Sequence, residues 1–106
     1  MAEPISRWFN ARGWAPFPFQ QKAWNAYLAG QSGLIHAPTG MGKTQAAWLG
    51  PVHEWIAESV DESGWSSLDP PPLTVLWITP LRALAKDTTA GLIATCDEIG
   101  LPWTVE

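Results

Sequence analysis

The chain has a single cysteine, Cys96, so it can form neither an internal disulfide nor a zinc site built on several cysteines. Cations are scarce: six Lys and Arg stand against ten Asp and Glu, for a formal net charge of −4. Such a chain does not hold nucleic acid by bulk charge. Any such contact has to come from a few placed groups or from residues outside these 106. No apolar run approaches the roughly 20 residues that span a bilayer. The first ten residues, "MAEPISRWFN", lack the basic-then-apolar order of an export signal, and a cytoplasmic protein is the expectation.

Tryptophan is plentiful, with eight in 106 residues. Rings of that size bury a large area each, so most of them are expected in packing rather than in ligand stacking. Apolar residues at 46% against 15% charged fit a folded chain rather than a disordered one. The length fits one small domain.

Periodicity gives the organisation. Residues 1–18 carry Pro4, Gly13, Pro16 and Pro18 and read as irregular. "FQQKAWNAYLAG" reads as a helix with Phe19, Ala23, Tyr27 and Leu28 on one face, closed by Gly30. "SGLIHA" reads as a buried strand and "PTGMGKT" as the loop after it. A helix then starts near Gly42 or Lys43, with Trp48, Val52, Trp55, Ile56 and Val60 at helical spacing and a kink or break expected at Pro51. "DESGWSSLDPPP" is a polar surface loop and "LTVLWITP" a second strand, apolar enough to be covered on both faces. "LRALAKDTTAGLIATCDEIG" is a long helix, with Leu81, Leu84, Ala85, Thr88, Leu92, Cys96 and Ile99 inward and Gly100 at its end. "PWTVE" would open a third strand. The alternation predicts an α/β fold with a parallel sheet.

The chemistry centres on "APTGMGKT", Ala37 to Thr44. The general phosphate-loop pattern is G-x-x-x-x-G-K-[ST]. Gly42, Lys43 and Thr44 satisfy its end, and Ala37 replaces its first glycine. Gly40 and Gly42 let the backbone turn its N–H groups inward. Pro38, Thr39 and Met41 complete the cradle, and the following helix adds its free N–H groups. Lys43 supplies a point charge for the β- and γ-phosphates of ATP, and the Thr44 hydroxyl is placed to ligate Mg²⁺.

"APTGMGKT" resembles motif I of superfamily 2 helicases, where alanine commonly stands first. Upstream, "PFPFQ" resembles the P-x-P-x-Q core of the Q-motif, and Gln20 matches the glutamine whose amide reads adenine. Trp8 is a weaker match to an aromatic that stacks on the base, with core packing the stronger reading. Downstream, "TPLRALAKD" resembles motif Ia, which touches the backbone of one nucleic-acid strand. The matching residues are Thr79, Pro80, Arg82 and Lys86, the last two being four apart on one helix face. From about Trp8 to Trp103 the chain is similar to the large helicase-related (Lhr-type) branch. It is most similar to bacterial DNA ligase-associated DEXH-box helicases. The resemblance implies a P-loop NTPase with part of a RecA-like first domain over residues 19–106. It also implies ATP hydrolysis coupled to 3′-to-5′ movement on single-stranded DNA, in a repair setting with ligase and nuclease partners.

Phosphate-loop ATPases also need an acidic residue after an apolar strand. No acid here has that context: Asp61 and Glu62 fall in a loop, Asp87, Asp97 and Glu98 on a helix, and Glu106 is the last residue. The expectation is therefore the N-terminal part of an ATP-binding domain, ending before the D-E-x-H box and lacking the second RecA-like domain. By themselves these residues are expected to be inactive in hydrolysis. Two other readings stay open: a non-enzymatic nucleotide-binding module, and a small-molecule P-loop kinase.

Overall fold

Proline starts the first helix rather than breaking it. In the computed structural model, which describes residues 1–37 and 42–106, helix α1 runs over Glu3–Ala11 with Pro4 in its first turn. There the missing N–H costs nothing. The segment expected to be irregular is thus largely helical. Helix α2 spans Pro18–Leu28 and again has proline at its start. Helix α3 spans Lys43–Glu58, a 3₁₀ helix spans Glu62–Ser67, and helix α4 spans Arg82–Ile99.

The chain divides into two compact units, 1–59 and 60–106. In the first, α1 buries Ile5, Trp8 and Phe9, α2 buries Gln20 and Trp24, and α3 buries Ala46, Trp48, Leu49, Val52 and His53. An aromatic chain joins the three helices. Trp8 meets Phe9 edge-on at 5.1 Å, Phe9 meets Trp24 at 6.0 Å, and Trp24 meets the His53 ring at 4.9 Å. Trp8 also carries the Arg12 guanidinium over its face at 4.4 Å, so packing accounts for this ring.

Helices α2 and α3 run side by side in the same direction. Gln20, at the start of α2, bonds Gly42 at the start of α3, and Tyr27, near the end of α2, bonds Glu54 further along α3 at 3.1 Å. Between these points the helices come close at Gly50, where an added Cβ would lie 3.1 Å from the Tyr27 ring. The face of α2 that packs is therefore Gln20, Trp24 and Tyr27. Leu28, expected inward, is exposed. Pro51 lies inside α3 without ending it. Its missing N–H costs α3 one ladder bond, and burial of Gly50, Val52 and His53 on either side holds the helix together.

In the second unit, Trp65 is buried in the 3₁₀ helix and donates its indole N–H to the Val60 carbonyl at 3.1 Å. Helix α4 buries Leu92, Thr95, Cys96 and Ile99, a helical stripe. Gly100 ends it in the left-handed conformation at φ 88°, and Leu101 N–H closes back on the Cys96 carbonyl at 3.0 Å. Leu81 and Leu84, expected inward, are exposed.

The α/β expectation is overturned: among the described residues there are helices and no strands. The parallel sheet, and with it the partial RecA-like domain, is absent from them. The apolar runs mistaken for strands lie in irregular segments with Leu34 91%, Leu76 73% and Ile78 82% exposed. An apolar run states a preference for cover. A strand exists only where a neighbour completes its backbone hydrogen bonds, and residues 32–37, 73–80 and 102–106 have no ladder partner among the described residues.

The close approach at Gly50 makes a direct prediction. Gly50→Val should drive branched methyls into Tyr27 and destabilise the first unit by about 2 kcal/mol, measured as a lower urea midpoint by tryptophan fluorescence. An unchanged midpoint would mean that the helices are not in contact there.

Candidate nucleotide site

Gly42 is the N-cap of α3 and has φ 81°, a left-handed conformation that side chains rarely adopt. The space around it is also closed, because an added Cβ would stand 2.5 Å from Gln20 Nε2. Two independent reasons thus require glycine here. Gln20 is 3% exposed, and both ends of its amide are used. Its Oε1 accepts the Phe17 N–H at 2.9 Å, and its Nε2 donates to the Gly42 carbonyl at 3.0 Å. The first bond caps the start of α2. The second ties that start to the start of α3, 22 residues away.

One turn along α2, Trp24 repeats the pattern. It is 3% exposed and donates its indole N–H to the Gln45 carbonyl at 3.0 Å. Below it, His53 Nδ1 lies 2.6 Å from the Leu49 carbonyl. A carbonyl can only accept, so Nδ1 carries the proton, and the buried Nε2 lone pair has no hydrogen-bond partner among the described residues. Burial pushes the His53 pKa down, partly offset by the Leu49 carbonyl, and the N-terminal ammonium lowers it further. Burial also pushes the Tyr27 phenol up, helped by its bond to Glu54 and by the charges of Glu54 and Glu58.

Lys43 and Thr44 form the first turn of α3 and both are exposed. No acidic side chain shares that turn. A glycine hinge, an exposed cation and hydroxyl, and the free N–H groups of a helix start fit a phosphate group. The other predicted loop residues, Pro38, Thr39, Gly40 and Met41, lie outside the described residues. The structure brings Gln20 to Gly42, a contact that neither motif specifies by its own residues. In the second unit, Thr79 is half-covered and Pro80 exposed, ahead of α4. Arg82 begins α4 and Lys86 follows one turn later, both exposed. Among the described residues no cluster of His, Cys, Asp and Glu could hold a metal ion, and no helix is long and apolar enough to cross a membrane.

The match to known proteins follows the same residues. The model of the DEAD/DEAH box helicases matches residues 17–105. The chain belongs to the DEAD/DEAH box helicase family. It is 34% identical to a Lhr helicase/probable uracil glycosylase of Mycolicibacterium smegmatis, over 95% of this chain and 7% of that protein. It is 32% identical to an ATP-dependent helicase Lhr-Core protein 2 of Thermococcus barophilus, over 93% of this chain and 11% of that protein. An ATP-dependent helicase Lhr-Core of Sulfolobus acidocaldarius is 32% identical over 90% of the chain and 10% of its own length. The chain thus spans about a tenth, or less, of these relatives. No solved structure matches it.

Trp24 and His53 were not singled out from the sequence. The available signal was Trp24 four residues after Gln20, on the same helix face.

Two measurements bear on the site. Gly42→Ala should destabilise the first unit by about 2–3 kcal/mol, since it adds left-handed strain to a collision with Gln20; wild-type urea stability would contradict the geometry. His53 also makes stability pH-dependent. Its folded pKa is below the unfolded value of about 6.5. The unfolded chain therefore takes up the proton first, and stability present above that pH is lost as pH falls through the folded pKa. Urea titrations from pH 8 to 5 should show this decline, and His53→Phe should reduce it.

Proposed function

We propose that the chain is the ATP-gripping N-terminal region of an ATP-dependent DNA helicase. The observation that carries this is the Gln20–Gly42 bond, which joins a Q-motif-like segment to the start of the phosphate-loop helix. In this reading Lys43 holds the β- and γ-phosphates, Thr44 ligates Mg²⁺, and the backbone N–H groups of Thr39, Gly40, Met41 and Gly42 meet the phosphates, with Pro38, which has no N–H, as the loop residue before them. The Mg²⁺ supplies charge neutralisation at the γ-phosphate. Gln20 spends one amide hydrogen and one lone pair on the backbone. The adenine contact of this amide is proposed from the resemblance to the Q-motif, and would use its second hydrogen and second lone pair.

The nucleic-acid side falls to Thr79, Pro80, Arg82 and Lys86, with the two exposed cations on phosphates of single-stranded DNA. By resemblance to the ligase-associated branch, movement is 3′-to-5′ and the setting is DNA repair with ligase and nuclease partners. Turnover needs an acidic group on the Mg²⁺ and a second lobe on the γ-phosphate. Asp61 and Glu62 sit at the 3₁₀ helix and Asp87, Asp97 and Glu98 on α4, and none follows a strand. We therefore propose that these 106 residues bind ATP without appreciable hydrolysis.

Removing the Lys43 charge tests the assignment. Lys43→Ala should weaken Mg-ATP binding at least about tenfold, the scale of a lost charge-assisted contact, with the urea midpoint kept. Equal affinity for the two proteins in an equilibrium titration would reject the site.

A further inference from the structure

We infer that Trp24 is a positioning residue for the nucleotide grip, acting through its indole N–H on the first turn of α3. This rests on the reading of Lys43 and Thr44 as the phosphate contacts. The indole donates to the carbonyl of Gln45, the residue directly after Thr44. Its ring cannot swing away. Phe9 packs against it at 6.0 Å and the His53 ring at 4.9 Å. His53 is in turn fixed to the Leu49 carbonyl, one turn further along the same helix.

Gln20 holds the carbonyl of Gly42 and Trp24 that of Gln45, so the turn bearing Lys43 and Thr44 is gripped from α2 at two points. The first grip alone holds that turn to α2 at one carbonyl. The second fixes the direction in which Lys43 and Thr44 leave the helix, and misdirection of a contacting group by a small distance is costly. Tyr27 ties α2 to α3 as well, but at Glu54, well away from the phosphate end.

Trp24→Phe keeps an aromatic ring between Phe9 and His53 and removes the N–H together with one ring of the indole. Tyr27→Phe removes a hydrogen bond of the same helix pair at the far end and is the control. In the 106-residue chain, Mg-ATP titration should show Trp24→Phe binding about fivefold more weakly, the effect of one hydrogen bond, and Tyr27→Phe binding like wild type. Hydrogen exchange should speed up at the Ala46 and Leu49 amides in Trp24→Phe and stay unchanged there in Tyr27→Phe. If Trp24→Phe binds like wild type, or if both variants weaken binding equally, the inference is overturned. If the wild-type chain shows no Lys43-dependent ATP binding, the functional reading fails separately. The exchange data then still decide: faster exchange confined to Trp24→Phe upholds the indole grip, and equal exchange in the two variants overturns it.

Discussion

Two backbone groups meet on one side-chain amide, and the first unit is arranged around that meeting. Gln20 takes the Phe17 N–H and gives to the Gly42 carbonyl. The Phe17 N–H is a group that a helix start leaves without a ladder partner, while the Gly42 carbonyl also takes the Ala46 N–H at 3.1 Å and so accepts twice. Because the amide is buried, losing either bond would strand a polar group away from water, which costs more than the bond itself contributes. The requirement spreads outward. Gly42 must lack a side chain to admit the amide, Pro18 must begin α2 next to it, and Gly50 must let the two helices stay close further along.

The helices were largely legible in the sequence. Lys43 as the start of α3 and Gly100 as the end of α4 follow from glycine's access to left-handed angles. What the pattern could not give was partners. The runs around Leu34 and Leu76 have the composition of buried strands, yet composition does not say which backbone would pair with them, and they stand exposed. Periodicity likewise put Leu81 and Leu84 on the apolar stripe of α4, but burial begins only at Leu92.

The candidate site was legible residue by residue and illegible as an arrangement. Gln20, Gly42, Lys43 and Thr44 all stand in recognisable motifs. That Gln20 reaches Gly42 directly is a fact of packing across 22 residues, with no local signature. Trp24 and His53 stood outside the helix faces read from the sequence, and only their nitrogen atoms, aimed at the carbonyls of Gln45 and Leu49, set them apart.

The shared direction of α2 and α3 has an electrostatic consequence. Antiparallel neighbours cancel each other's peptide dipoles, whereas parallel ones add them. Each helix start carries the equivalent of about half a positive charge, and here two of them lie within one amide's reach of each other. The like ends repel, and the side-chain bonds from Gln20 and Trp24 hold them together against that repulsion. A chain with a net charge of −4 thereby keeps a locally positive corner beside Lys43, built from backbone rather than from basic side chains.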